Sequence, residues 1–399
     1  MDNAGGEGAV LVLNAGSSSI KVAVFGGDLR EHLHGMADGI GGTGALKIGK
    51  TSCKADFPDH AAALDALLEG LADHGIKPCS LRAAAHRVVH GGTELTAPVR
   101  VTGDVLAAIR RCVSLAPLHN PHNLAAIETL MERAPALPQC ASFDTGFHAT
   151  NPEVAQRYAL PPGAEARGLR RYGFHGLSYA ALVDALPGIA GGPLPRRLLA
   201  FHLGNGASAC AIRDGRSVAT TMGYSPLEGL TMGTRVGSID GNAVLRLAQE
   251  DGIAATHRML NRESGLRGLS GGESDMRALL EDDGPRSRFA VAHFCYWAIR
   301  HGGSLVAAME GLDAIAFTGG IGENSAHVRA RIVEGLEWLG ARLNPAANER
   351  GDARLHAPDS RVGCWIAPAA EERRIAADAL ALIGGQPPES REIRSSNSR

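Results

Sequence analysis

Leu11-Val12-Leu13-Asn14-Ala15-Gly16-Ser17-Ser18-Ser19-Ile20-Lys21-Val22-Ala23-Val24-Phe25 breaks an apolar run at an asparagine, turns through a glycine and three hydroxyls, and resumes as alternating residues ending in Phe25. The pattern predicts a strand, a tight turn and a second strand, with Lys21 just past the turn. Such a turn gathers backbone N–H groups, hydroxyls and one ammonium in a small volume, which suits phosphate oxygens. The logic returns from Leu198 to Ile212, where an apolar run meets Gly204-Asn205-Gly206 and small alternating residues follow. Asp214-Gly215 then supplies a hairpin turn to a third strand, as Gly26-Gly27-Asp28 follows the first copy. Two copies, one in each half, predict a duplicated α/β fold with a cleft between its halves. A third loop, Thr318-Gly319-Gly320-Ile321-Gly322-Glu323-Asn324, follows the apolar run Ala314–Phe317 and leads into a helix. Its glycine spacing is not the G-x-G-x-x-G of dinucleotide-binding folds, which argues against a dehydrogenase.

The chain has 399 residues, 44% of them hydrophobic, and a net charge of −2. That length supports two or three domains with real cores. The charge balance offers no basic excess for nucleic acid, and no apolar run is long enough for a membrane span. Met1–Glu7 lacks the basic and apolar regions of a secretion signal, so a cytoplasmic protein is expected. Seven cysteines at 53, 79, 112, 140, 210, 295 and 364 form no C-x-x-C pair, which fits reduced thiols. Helices are predicted from Asn120, read as N-cap before Pro121, to about Glu132, and from Ser325 to about Leu339. Another runs from Glu371 to about Ile383, with apolar spacing at Ile375, Ala379 and Leu382. Pro285 to about Glu310 reads as a buried helix or a broken pair, and the stretch from Gln386 onward as disordered.

Charged residues recur inside segments that otherwise read as core. They are Arg87 in His86–Gly92, Asp144 in Ser142–His148, Arg170, Arg171 and His175 in Arg170–Gly176, and Arg235 in Gly233–Asp240. Buried charges are costly unless paired or functional. Several arginines, an aspartate, a lysine, a histidine and glycine-rich loops together suit phosphoryl transfer, where catalysis is mainly positioning and cationic stabilisation. The chain has no P-loop G-x-x-x-x-G-K-[ST] and no protein-kinase motif set, so a nucleotide must be held another way. No Ser–His or Cys–His nucleophile pair stands out, which favours direct in-line transfer over a phosphoenzyme.

Eight motifs, in order, now carry a specific resemblance. They are Asn14–Lys21, His86–Gly92, Pro117–Pro121, Phe143–His148, Arg171–Gly176, His202–Ser208, Met222–Arg235 and Thr318–Asn324. From about residue 10 to about 384 the chain resembles the acetate kinase family (acetokinases, comprising acetate and propionate kinases). The resemblance implies duplicated actin-like domains of the ribonuclease H-like kind with an interdomain cleft. It divides the chain at 1–150, with a C-terminal helix 372–386 packing on that domain, and 151–371, leaving 387–399 as a tail. It also implies a homodimer and the reaction of ATP with acetate, or another short carboxylic acid, to give ADP and an acyl phosphate.

Position by position, the resemblance makes Asp144, Arg87, Arg235 and His175 catalytic. Arg87 and Arg235 flank carboxylate and phosphoryl group, a task for bidentate guanidinium that lysine serves poorly. Val89, Leu118, Phe174 and Pro226 line a small methyl pocket. Lys21, with the Ser17 and Ser19 hydroxyls, and His202, Asn205 and Gly206 lie on the nucleotide phosphates. Asp275, Arg277, Gly320, Ile321 and Asn324 form the adenosine pocket. Asn14 and Glu371 lie near Mg²⁺, for which Mn²⁺ can substitute. Three departures stand out: Ser238 where the family usually has Asp, Glu273 as an added charge, and Ala369-Ala370 in place of Thr-Asn before Glu371-Glu372. The last leaves open which of the two glutamates binds metal, with Glu371 favoured. The rival readings are a propionate kinase on the same scaffold and a non-catalytic ATP-binding actin-like protein. The bulk of Val89 leans toward acetate, and retention of Arg87, Asp144, His175 and Arg235 argues against a dead relative.

Overall fold

The computed structural model describes residues 8–385; the readings of the leader and of the stretch beyond 385 lie outside them. The chain divides into two compact units, Met1–Gly146 with the segment from Glu371 onward, and Phe147–Ala370. The break falls at Gly146 rather than at 150, and Glu371 opens the returning helix of the first unit rather than closing the second.

In the first unit the opening hairpin forms as the sequence predicts. Strands β1 (Val10–Ala15) and β2 (Ser19–Phe25) pair antiparallel, and Gly16 N donates to Ser19 O across the turn at 2.8 Å. The meander continues through β3 (Glu31–Asp38), β4 (Gly42–Ile48) and β5 (Thr51–Phe57). On the other side of β1, β6 (Ala83–Val88) joins in parallel, with the edge pair β7 (Val99–Arg100) and β8 (Gln139–Phe143) beyond it. The order is β5-β4-β3-β2-β1-β6-β8-β7. Leu11 and Leu13 face a core shared with Leu64, Leu67 and Leu71 of helix His60–Asp73 and Leu130 of helix Asn120–Arg133. The returning helix Glu371–Ile383 packs on β1, β6 and β8, with Ile375, Ala376 and Ala379 buried.

The second unit repeats the plan. Strands β9 (Arg197–Leu203), β10 (Ala207–Arg213) and β11 (Arg216–Thr220) form an antiparallel meander. Two strands, β12 (Ala314–Thr318) and β13 (Gly363–Ile366), add in parallel, giving the order β11-β10-β9-β12-β13. This matches β3-β2-β1-β6-β8 in order and in pairing sense, so the duplication read from the loops is present in the sheets. Asp214 and Gly215 both take positive φ, 51° and 73°, as an Asp-Gly hairpin turn requires. The unit has its own core, including Leu186, Leu198, Cys210 and Ala316.

Three local expectations change. Asn120 does not cap its helix: its side chain accepts from His90 N and donates to His90 O, so tertiary bonds take the groups a cap would use. Pro285–Ala308 is one continuous helix, buried on one face and exposing Phe289 and Tyr296 on another. The helix after Ser325 ends at Gly335, followed by a single 3₁₀ turn over Glu337–Leu339. No helix among the described residues is long and apolar enough to cross a membrane.

Candidate active site

In the first unit, register decides which polar groups meet. Leu13 lies opposite His86 and Arg87 opposite Ser142, so the carboxyl ends of parallel strands β1, β6 and β8 bring Asn14, Arg87 and Asp144 together. Open α/β sheets bind ligands at such ends. Arg87 meets Asp144 in a fork: Nε donates to Oδ1 at 3.0 Å and Nη2 to Oδ2 at 2.5 Å. Its Nη1 donates to Asn14 Oδ1 at 3.2 Å. Asp144 is 2% exposed while the Arg87 side chain keeps 22%, so the cation shows a face and the carboxylate does not. Asn123 fastens the strand ends from behind, accepting from Val89 N at 3.1 Å and donating to Ala15 O at 2.8 Å.

Glu371, in the first turn of the returning helix, belongs to the same cluster. Burial pushes its carboxyl up to about 7; Arg87 and Lys21 oppose this rise, while Asp144 and Glu372 add to it. Lys21 sits directly across the β1–β2 pair from Asn14 and is exposed. The oxygens of Asn14, Asp144, Glu371 and Glu372 are the donor type Mg²⁺ takes, and a cation beside Glu371 would favour its ionised form. Among the described residues no group of three His, Cys, Asp or Glu side chains is placed to hold a metal ion.

The second unit holds the other predicted residues. His175 takes a left-handed conformation, φ 58°, just before helix Gly176–Ala190. Its ring stacks on His202 with centroids 4.1 Å apart. The β9–β10 loop runs beneath: a Cβ on Gly206 would lie 3.3 Å from His175 Nε2 and 3.6 Å from Arg235 Nη1. Arg235 is held by Pro226 O at 3.0 Å, and Gly233 N donates to Asn205 O at 2.9 Å. His175, Arg235, Asn205, Gly206 and Pro226 are therefore brought together, and His202 with them. The third loop lies alongside, since a Cβ on Gly204 would be 3.9 Å from Gly320 N. Asn324 donates to Gly320 O at 2.9 Å, closing that loop around Ile321.

Asp275 and Arg277 form an exposed ion pair at 3.0 Å, and Asp275 caps helix Met276–Glu281. No hydrogen bond or ion pair among the described residues joins them to the 319–324 loop. Glu273 is spent locally on the Ser274 and Asp275 amides. Of the four methyl-pocket residues, Val89 and Leu118 belong to the first unit, Phe174 and Pro226 to the second. Val89 and Phe174 are buried, and Leu118 is 36% exposed.

Sequence reasoning missed several supporting residues. Ser–His pairs do exist, among them Ser208 Oγ with His175 Nδ1 at 2.9 Å and Ser178 Oγ with His202 Nδ1 at 2.8 Å. Both serines are buried, so they orient imidazoles rather than attack a substrate. Tyr179 Oη reaches Ser208 Oγ at 2.5 Å; the His175–Tyr179 spacing of one helical turn was the available signal. Arg329, fully buried, donates to Gly322 O, Glu323 O and the Asn348 side chain and carbonyl, and so supports the third loop. No spacing in the sequence marks it.

Duplicated sheets that end in a guanidinium–carboxylate cluster in one unit, and in glycine loops under an imidazole and a guanidinium in the other, define a phosphotransferase of the actin-like fold. The chain belongs to the acetokinase family, whose model matches residues 9–377. It is 43% identical over 389 residues to an acetate kinase from Nitrobacter hamburgensis, covering 94% of this chain and 96% of that one. It is 44% identical to an acetate kinase from Rhizobium meliloti, covering 94% and 98%. Among solved structures, Porphyromonas gingivalis acetate kinase matches with TM-score 0.87 and 33% identity, over 94% of this chain and all of that one. A propionate kinase from Francisella tularensis matches with TM-score 0.88 and 32% identity, over 93% and 98%.

Proposed function

We propose that this chain transfers the terminal phosphoryl group of ATP to acetate, reversibly, giving ADP and acetyl phosphate. The observation that carries the reading is the convergence of two donor side chains on the Gly206 turn, where a Cβ would lie 3.3 Å from His175 Nε2 and 3.6 Å from the Arg235 guanidinium. Phosphoryl oxygens are what that combination recognises. The names of the relatives supply the acceptor acid.

In this reading Arg235 and His175 bind the phosphoryl oxygens and stabilise charge as it spreads in the loose transition state. Arg87, pre-set by Asp144, orients the acceptor carboxylate for in-line attack. Asn205, Gly206, His202 and Lys21 hold nucleotide phosphates, and Gly320, Ile321 and Asn324, with Asp275 and Arg277, the nucleoside. Val89, Leu118, Phe174 and Pro226 take the methyl group. Asn14 and Glu371 would hold Mg²⁺, which supplies charge neutralisation between phosphates. A homodimer in the cytoplasm completes the proposal.

Propionate as preferred acceptor is the second reading, favoured by the propionate kinase among the structural matches. One methylene is worth only about 1–3 kcal/mol of discrimination. Trapping the acyl phosphate as hydroxamate with acetate, propionate and butyrate decides. The highest kcat/KM with acetate supports the main reading, a preference for propionate replaces the acceptor, and no product with any acid removes both.

A further inference from the structure

His175 Nδ1 lies 2.9 Å from Ser208 Oγ, and Ser208 Oγ lies 2.5 Å from Tyr179 Oη. Tyr179 is 0% exposed. Near its hydroxyl stand also the His202 backbone amide, itself a donor, and the Cys210 thiol, a weak acceptor that makes no hydrogen bond to it and pairs with Ser217 Oγ at 3.3 Å. A buried hydroxyl proton without an acceptor costs about 1–3 kcal/mol. Among the described residues, the acceptor hydrogen-bonded to the Tyr179 hydroxyl is Ser208 Oγ. Tyr179 therefore donates to Ser208, and Ser208 directs its own proton at His175 Nδ1. An imidazole nitrogen that accepts carries no proton, so the ring proton sits on Nε2.

We propose that the buried Tyr179–Ser208 relay fixes His175 as a neutral imidazole protonated on Nε2, presenting a neutral N–H donor to the phosphoryl space at Gly206. Tyr179 and Ser208 are thereby positioning residues for His175. The functional part of this inference rests on the phosphoryl-transfer reading of that space; the proton assignment does not. Two groups beside the ring agree with neutrality. Arg235 Nη1 stands across the Gly206 position, and the His202 ring stacks on His175 with its Nδ1 paired to Ser178 Oγ. The guanidinium opposes a positive charge on His175, and so would His202 were it protonated. A neutral donor also keeps its proton as pH rises, which an imidazolium near its ordinary pKa does not.

The test is long-range ¹H–¹⁵N correlation on histidine-labelled full-length protein at pH 7, with His175 assigned by its loss in His175→Gln. The expected result is a protonated Nε2 and a bare Nδ1. In Ser208→Ala and Tyr179→Phe the same ring becomes a tautomer mixture. Ser208→Ala also lowers kcat roughly 10- to 100-fold, the usual range for losing an orienting partner, with KM for ATP close to wild type. Wild-type kcat carries no alkaline limb from a histidine. A proton on Nδ1, or an imidazolium at pH 7, overturns the proposal even where acetyl phosphate forms. If wild-type protein makes no acyl phosphate while Nε2 carries the proton, the functional reading falls and the imidazole assignment holds. Should either variant fail to fold, the wild-type spectrum still decides.

Discussion

Arg87 is set in its plane before any ligand arrives, because Asp144 grips two of its nitrogens and Asn14 a third. That geometry is specific to guanidinium: a lysine offers one point charge and no fork. Arg87→Lys is therefore expected to lose nearly as much kcat as Arg87→Ala, roughly 2–4 kcal/mol of transition-state stabilisation. A steady-state comparison checks this, and near-wild-type turnover in the lysine variant would remove the bidentate role. One residue earlier, His86 shows the opposite use of a side chain. It is buried, pairs with Gln139 Oε1 at 2.7 Å, and burial drives its imidazole down to about 4 from 6.5. Between those values the unfolded chain takes up a proton that the folded chain refuses. Stability from this group is complete above pH 6.5 and drains away as pH falls toward 4, by about 3 kcal/mol at 1.36 kcal/mol per unit. His90, buried and lowered to about 4 by the same cause, acts in the same window. Urea midpoints at pH 7 and pH 4.5 should separate more in wild type than in His86→Leu, and an equal separation would clear His86.

Elements carry the next level of constraint. The turn before helix Gly176–Ala190 places Gly173 and His175 both at positive φ, 79° and 58°. A Cβ on Gly173 would lie 2.6 Å from both His148 Cδ2 and Thr220 Cγ2. His148 clamps the turn from below, with Nε2 on Phe174 O at 2.9 Å and Nδ1 on Ser217 Oγ at 2.8 Å. Gly173→Ala should cost about 1–3 kcal/mol in backbone strain alone and displace His175; a lowered Tm with lowered kcat is the expected pair. The returning helix is docked by Asp378, which accepts from Ser142 Oγ at 2.9 Å and Arg374 Nε at 3.0 Å. Asp378→Ala should lower stability by about 1–3 kcal/mol, read as a shifted urea midpoint. At this scale the limits of sequence reading are physical. The loops at Gly16, Gly204 and Gly319 were legible because turns demand particular residues locally, and so was the helix from Glu371. The use of Asn120 was not, because its partner His90 lies thirty positions away and only packing brings them together. Ser208 escaped for the same reason: it sits on a strand, its partners His175 and Tyr179 lie about thirty positions away at the start of a helix, and no spacing announces their contact.

For the whole molecule, duplication explains why two unrelated-looking stretches carry comparable chemistry. The same strand order ends in Asn14, Arg87 and Asp144 in one unit, and in the 204–206 and 319–320 loops in the other. The units differ in how the chain composes them. Phe147–Ala370 is continuous, while the first unit needs a segment from beyond residue 370. A chain cut after Ala370 should keep a protected second unit and show raised hydrogen exchange along β1, β6 and β8, which lose the helix that covers them. Uniform protection in both units would contradict this division. The same arrangement bears on biosynthesis. A nascent chain leaving the ribosome has its second unit complete while the first still lacks one wall, so the earlier-made unit is the later to close. Glu371 arrives with that wall, so this carboxylate joins Arg87 and Asp144 only after the second unit has been made.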